Sequence, residues 1–575
     1  MSDKLQTALR HYQAGAFDKA LSAIGPFVTP RAKPVLQLLL VAAQCCAKTA
    51  RYTEAASYYG RAAEVGGDKK AMLRALQAEM LAQADEILPA LTAARKAVKT
   101  LDFDRNTLAT FRNFLNQALC LDERLMEDQA FLDRLRLGDP RYCAVEQYLE
   151  NLAWCADESI NARMSVGVEK GLFFTQASRD ERRRRAHQFA DKIRIGYLSN
   201  DFSDQHPTML LFQGVLMAHD PERFEVTLFC HTDDDLIKAD SGIRARYPRL
   251  VRIGHLDDEA AADLIRAEGI DILVDLKGHT KGARISLINR GLAPIQVAYL
   301  GYPGSGNGID CDYVIGDAIV LPDSSKPHYH EKFCLMPESY QANDDRFRPL
   351  PPPSTRQAQG LPEHRLVFGA FNGLRKISPQ TAEIWAEVLR RVEHSVLWML
   401  CRGDFARENF CRWMEREGVA RERIIFAPAA LYRDHIARLP VADIGLDSFP
   451  YNGHTTTSDK LWAGLPVPTY IGSHFASRVS ASLLTALDVP ELVAPDLEGY
   501  VELTVRLATD HAWRTDIRRR IADNRRRAPL FDTTRFARHL ETAFEMMVAR
   551  AKAGLEPDHI TVPAMPRKAA DTESN

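Results

Sequence analysis

The segment Tyr451-Asn452-Gly453-His454-Thr455-Thr456-Thr457-Ser458-Asp459 concentrates residue types that do chemistry together. It follows the strand-like run Ala442 to Leu446 and opens a predicted helix. Glycine lets the backbone approach a ligand closely, and the hydroxyls gather where free backbone N–H groups meet the positive end of the helix. That combination suits a phosphate. Asp459 lies four residues after Thr455, one turn on along the same face, where a carboxylate can accept hydrogen bonds from ribose hydroxyls. A second segment, Phe371-Asn372-Gly373-Leu374-Arg375-Lys376-Ile377-Ser378-Pro379, ends a strand and caps the next helix with Ser378-Pro379. Lys376 then projects near a strand's carboxyl end, where a compact ammonium meets a diphosphate whose charge grows as it departs. In Ser199 to Thr208, Pro207 suits the first helical position and puts His206 at the helix mouth, a place that disfavours imidazolium and leaves the ring able to take a proton. Lys277 to Arg284 brings His279 and glycines to another strand end, and Leu300-Gly301-Tyr302-Pro303-Gly304 offers backbone amides to a sugar.

Other chemistries find little support. Asp102-Phe103-Asp104, Asp233-Asp234-Asp235 and Asp310-Cys311-Asp312 match a hard-cation pattern but share no context, so no metal is expected. Neither a dinucleotide-binding glycine fingerprint nor a P-loop occurs at any strand end, which argues against a dinucleotide oxidoreductase or a nucleoside triphosphatase. Lys+Arg 74 against Asp+Glu 76 leaves a net charge of -2, so no global field draws nucleic acid or anionic membranes. The longest apolar stretch, Val35 to Ala47, is interrupted by Gln37 and Gln44 and is too short for a bilayer. Met1-Ser2-Asp3-Lys4-Leu5-Gln6 lacks a secretory layout, and the 10 cysteines show no CxxC spacing. A cytoplasmic protein with reduced thiols is expected.

The elements that must carry these residues follow from periodicity. Residues 1–165 read as all-α, and Ala16-Phe17-Asp18-Lys19-Ala20 returns as Arg51-Tyr52-Thr53-Glu54-Ala55, with a blurred copy over Ala84 to Ala97. A period of roughly 34 residues with an aromatic followed by a small Ala is the tetratricopeptide pattern. The copies degenerate beyond Asp102. The Arg-rich run from about Arg179 to Gln188 reads as a solvated helix face that marks a boundary, inside a helical linker, 166–191. From Ile193 short apolar strands alternate with helices, predicting a parallel α/β half over 192–348. Pro349-Leu350-Pro351-Pro352-Pro353 begins a linker over 349–365, and a second α/β half fills 366–558. Residues 559–575 read as a disordered tail. Two doubly wound halves leave a cleft between the carboxyl ends of their sheets.

In this order, His206-Pro207-Thr208, Gly278-His279-Thr280-Lys281-Gly282-Ala283-Arg284, Ala293-Pro294-Ile295-Gln296, Leu300-Gly301-Tyr302-Pro303-Gly304, Ser395 to Leu400, Asn452-Gly453-His454-Thr455-Thr456, Leu461-Trp462-Ala463-Gly464 and Ala476-Ser477-Arg478-Val479 resemble the O-linked N-acetylglucosamine transferase family. The likeness runs from about Ile193 to His559, and the helical repeats fit the same architecture. It implies a GT-B fold, two Rossmann-like domains facing a cleft. It also implies metal-independent, inverting transfer of N-acetylglucosamine from UDP-N-acetylglucosamine to Ser or Thr hydroxyls, with acceptor proteins held along the repeats. By the same resemblance Lys376 holds the departing diphosphate, His454, Thr455 and Thr456 bind phosphate, Asp459 binds ribose, and Ala430 and His435 lie near uridine. Leu300 and Gly301 match the sugar loop, and His206 is a candidate base or sugar contact. Gly373, Tyr432 and His279 depart from the animal pattern, which has glutamine, lysine and tyrosine there. Two alternatives stand: a transferase using UDP-glucose or GDP-fucose, and a catalytically weak peptide-binding scaffold.

Overall fold

The computed structural model describes residues 2–99, 103–146, 148–166, 173–204, 206–238, 242–247 and 249–567. Asp102, Gln205, residues 167–172 of the expected linker and 568–575 of the expected tail lie outside them. The chain divides into two compact units, one up to Glu146 together with Cys401–Trp413, the other holding the remainder.

The first unit is a stack of antiparallel helix pairs. First helices start at Ser2, Leu36, Lys70 and Arg105, and second helices at Phe17, Tyr52, Ile87 and Leu121. Each pair turns through a left-handed residue: Gly15 (φ 71), Ala50 (φ 57), Asp85 (φ 62) and Leu119 (φ 48). That constant turn holds the period near 34 residues. Ala20, Ala55 and Ala90 are fully buried at the same repeat position, the small residues that let helix backbones approach. The fourth pair, in the region where the sequence pattern fades, carries Arg124 at that position. Its side chain is also buried, and Nε reaches Asp128 at 3.3 Å beside the Arg112–Glu146 ion pair, at 2.6 Å. The insertion around helix Asp404–Arg416 contributes to this unit, with Asn409 Nδ2 donating to Ala118 O at 2.8 Å.

The second unit carries two sheets. In the first, β1 (Ile193–Ser199), β2 (Phe224–Cys230), β3 (Leu250–Arg252), β4 (Ile272–Asp275), β5 (Ile295–Ala298), β6 (Tyr313–Asp317) and β7 (Lys332–Met336) lie in the order β3-β2-β1-β4-β5-β6-β7, all parallel. In the second, β8 (Leu366–Ala370), β9 (Ser395–Leu400), β10 (Ile424–Ala427) and β11 (Ile444–Gly445) repeat the start of that order, β10-β9-β8-β11. Both are doubly wound sheets that reverse direction beside their first strand. Ligands of such sheets bind at the carboxyl ends around that reversal. A two-stranded sheet, β12 (Thr469–Tyr470) with β13 (Val493–Ala494), follows. The fold is thus α/β, with two Rossmann-like halves that follow a helical repeat region along the chain, as expected.

Three boundaries differ from the sequence reading. Helix Glu158–Val166 belongs to the second unit rather than the helical one. Helix Thr533–Lys552, expected to end the second half, returns to the first and packs against helix Pro207–Ala218, β5 and β7. The expected tail then supplies β14 (Ile560–Thr561), which pairs in parallel with β7, Ile560 opposite Cys334. The Arg-rich run is solvated on one side only, with Glu181, Arg184 and Arg185 exposed. Arg179 and Arg182 are buried, donating to Asp310 at 2.8 and 2.7 Å, while Arg182 also meets Asp312 at 2.8 Å. This ion cluster also accounts for one of the Asp-x-Asp matches. No helix among the described residues is long and apolar enough to cross a membrane.

Candidate functional site

The chemistry-bearing segments of the sequence sit at the two reversals. The exits of β1 and β4 carry His206 and His279, and those of β8 and β11 carry Lys376 and the His454–Asp459 run. After β8 the chain makes a short turn over Leu374–Lys376, and Ser378 caps helix Pro379–Arg391 by accepting from Thr381 N at 3.0 Å. Ser378 Oγ also donates to Phe449 O at 2.6 Å, tying this turn to the β11 loop. Lys376 is 9% exposed; Nζ donates to Asn452 O at 2.6 Å and lies 3.8 Å from the centre of the Tyr451 ring. Burial pushes its ammonium well below 10.5, Arg375 and Lys460 push the same way, and Asp447 opposes them. Asp447, fully buried, is bonded by Ser448 N at 2.9 Å, Gly453 N at 2.7 Å and Thr469 Oγ1 at 2.7 Å. Lys460, also buried, donates to Leu446 O at 2.8 Å and is pushed down to about 8.

The β11 loop leads into helix Thr455–Trp462, whose first backbone bond runs from Ser458 N to His454 O at 3.0 Å. The N–H groups of Thr455, Thr456 and Thr457 therefore open the helix without intrahelical partners. A Cβ on Gly453 would meet Thr457 Oγ1 at 2.4 Å and Thr456 Oγ1 at 2.7 Å, so the tight entry needs glycine. Thr456 Oγ1 donates to Asn372 Oδ1, stitching the β8 and β11 loops together. His454 Nε2 faces Ala476 O at 3.2 Å and so carries a proton, and burial holds the ring neutral. One turn on, Asp459 Oδ1 accepts from Arg348 at 2.6 Å and from Tyr432 Oη at 2.8 Å. Arg348 also donates to Ser458 Oγ at 2.8 Å and to Tyr432 Oη at 3.1 Å. His435 Nδ1 accepts from Arg438 Nε at 3.1 Å, placing its proton on Nε2, and burial holds it down to about 4. Ala430 is exposed in the loop after β10, and nothing lies within 4 Å of a Cβ built on exposed Gly373.

At the β1 exit His206 caps helix Pro207–Ala218, its Nδ1 accepting from Thr208 N at 3.3 Å. The proton therefore sits on Nε2, 3.5 Å from Asp201 Oδ1. Asp201 is gripped by Lys277 Nζ at 2.7 and 2.8 Å. Burial lowers the pKa of His206, Lys277 adds to this and Asp201 opposes it. A neutral ring was expected, but its lone pair is committed to Thr208. Acting as a base would require His206 to release that bond. His279 is buried, its Nε2 donates to Asn307 O at 2.9 Å, and it is held down to about 3. Leu300 adopts φ 70, a costly conformation for a branched side chain, and a Cβ on Gly301 would meet Leu276 O at 2.1 Å. The Leu300–Gly301 loop is thereby pressed against the β4 exit.

Sequence reasoning missed Arg348, the Asp201–Lys277 pair, Asp447, Tyr451 and Lys460 as members of this arrangement. Asp201, Lys277 and Tyr451 lie inside the chemistry-bearing segments of the sequence, and Asp447 and Lys460 flank the Gly453–Asp459 run; Arg348 carried no such signal. Nearby His474 is 2% exposed, and neither ring nitrogen has a partner among the described residues. Burial holds it down to about 4 against an ordinary 6.5. A histidine depressed in the folded state contributes fully above the unfolded value, and that stability is lost as pH falls through the window from 6.5 to about 4. At about 1.4 kcal/mol per pH unit, His474→Phe should remove up to about 3 kcal/mol of acid destabilisation. Melting temperatures at neutral pH and near the bottom of that window test this; equal acid losses in both proteins contradict it.

Among the described residues no group of three or more His, Cys, Asp or Glu is arranged to hold a metal ion. The model of glycosyl transferase family 41 matches residues 151–350 and 351–540. The "probable UDP-N-acetylglucosamine–peptide N-acetylglucosaminyltransferase SEC" of Arabidopsis thaliana is 33% identical over 378 residues, covering 64% of this chain and 38% of that protein. The UDP-N-acetylglucosamine–peptide N-acetylglucosaminyltransferase of Caenorhabditis elegans is 28% identical over 486 residues, 65% of this chain and 42% of that one. The chain thus spans about two fifths of the length of these relatives. A solved O-GlcNAc transferase mutant of Thermobaculum terrenum shares the fold, with a TM-score of 0.67 at 22% identity over 96% of this chain and 98% of that one. With its doubly wound halves and a family match over most of its length, this chain belongs to glycosyl transferase family 41.

Proposed function

We propose that the protein transfers N-acetylglucosamine from UDP-N-acetylglucosamine to serine or threonine hydroxyls of proteins, with inversion at the anomeric carbon. The observation that carries this reading is Lys376, buried beside the opening of helix Thr455–Trp462 at the reversal of the second sheet. An ammonium and unpartnered helix N–H groups on one spot are complementary to a diphosphate, most of all when its charge rises on departure. In this reading His454, Thr455 and Thr456 hold phosphate, Asp459 the ribose, and Ala430, Tyr432 and His435 surround the base. Gly373 flanks the diphosphate, Leu300 and Gly301 meet the sugar, and His206 and His279 line the side from which the acceptor attacks. The relatives' names, which join this donor to peptide acceptors, support it.

Because Lys376 and the helix take the charge-neutralising part, we propose that turnover requires no metal. The alanine-packed helical unit is proposed to hold acceptor proteins, with no role for nucleic acid or membrane. Ten cysteines, eight of them buried, support a reducing, cytoplasmic setting. Incubation with Ser/Thr-containing peptides and a panel of UDP-N-acetylglucosamine, UDP-glucose and GDP-fucose tests the proposal. The expected result is peptide gaining one N-acetylhexosamine, undiminished by EDTA. Transfer only from another donor, or peptide binding with no UDP released, would replace it with one of the two alternatives.

A further inference from the structure

We infer that Tyr451 is a positioning residue for Lys376: the face of its ring is the surface that fixes the buried ammonium and keeps it cationic. The inference rests on the reading of Lys376 as the diphosphate contact. It stands on where the charge of Lys376 goes. The Nζ lies 3.8 Å from the ring centre, close enough for a strong cation–π contact, and donates to Asn452 O at 2.6 Å. The groups facing it otherwise give little support. Arg375 and Lys460 repel it, and the adjacent His454 is neutral. Asp447 attracts it, but that carboxylate makes its close hydrogen bonds to Ser448, Gly453 and Thr469. The π face and one carbonyl thus carry the ammonium in a site largely closed to water.

The ring is itself held still. Tyr451 is 4% exposed, packed in a cluster with Leu152, Ala153 and Ala476, and its ring lies 4.9 Å from that of His454. Its backbone carbonyl accepts from Ser448 Oγ at 2.7 Å. The ring therefore cannot follow a wandering ammonium, and Lys376 is drawn to a fixed point beside the helix opening. The electrostatics need the aromatic face and not the hydroxyl. Removing the face disfavours the charged form, so the lysine should lose its proton at lower pH.

The test is an NMR titration of full-length protein labelled with ¹³Cε-lysine, the Lys376 signal being assigned by its loss in Lys376→Met. In Tyr451→Leu the Lys376 midpoint should fall by about one pH unit, tenfold in proton affinity, and in Tyr451→Phe it should stay. The alkaline limb of kcat against pH should move with it. A set of 4-fluoro-, difluoro- and trifluorophenylalanine at position 451 keeps the ring's shape while draining its face, so that misfolding of the leucine variant does not decide the matter. The midpoint should step down with each fluorine. An unmoved midpoint across that set, or Tyr451→Phe behaving as Tyr451→Leu, overturns the inference. If the wild type transfers no sugar while the midpoints still shift, the functional reading fails and the positioning role stands.

Discussion

Lys376→Ala is expected to lower kcat by about a thousandfold or more while leaving the protein folded. Removing a single preorganised donor from a site that stabilises developing charge costs roughly a hundredfold to a thousandfold. Lys376 supplies a full charge rather than a dipole, and it does so from a 9% exposed position where water cannot substitute. Stability should move the other way. The folded protein disfavours this ammonium, because burial pulls its pKa well below 10.5. Deleting it therefore relieves a desolvation cost at neutral pH, and the melting temperature should hold or rise. Lys376→Arg should rescue little, since a planar fork does not replace a compact ammonium seated between the Tyr451 ring and Asn452 O. Steady-state kinetics with a melting curve check both halves. A folded Lys376→Ala variant with kcat within tenfold of wild type would contradict the assignment.

Arg348→Met should destabilise the protein by about 3–5 kcal/mol, the usual result of removing one partner from a buried ion pair. The Arg348 side chain is fully buried, and its guanidinium reaches Asp459, Ser458 and Tyr432 at once. Methionine keeps much of the volume but leaves the Asp459 carboxylate buried with only the Tyr432 hydroxyl. The substitution also frees Asp459 to turn, so the donor KM should rise about tenfold. Arg348→Met combined with Asp459→Asn should recover much of the stability, since no unpaired charge remains, but not the donor affinity. Denaturant titrations of the two single variants and the double variant test this. Purely additive losses would show that the pair is not coupled.

The fold was largely legible, because doubly wound sheets announce themselves through short apolar strands alternating with helices. The segment around His454 was legible because its residues are neighbours in sequence as well as in space. Arg348 was not. It meets Asp459 across 111 residues, and a lone arginine before a proline linker has no spacing to mark it. The fourth helix pair was hidden by Arg124, which occupies the alanine position of the repeat and is paired with Asp128 one turn on. The Arg179–Arg184 run looked solvated because its partners, Asp310 and Asp312, lie more than a hundred residues on. β14 is two residues long, and only its pairing with β7 makes it a strand. For Arg348, the arginine run and β14 the missing information was a long-range electrostatic or edge contact, which local propensity and periodicity do not carry.

Calorimetric titration of UDP into the purified full-length chain, beside Lys376→Ala, addresses the central assignment most directly. A saturable heat corresponding to one site per chain, weakened at least tenfold by the substitution, is the predicted result. A well-folded wild-type sample that gives no heat with UDP, or that binds it equally well without Lys376, would contradict it.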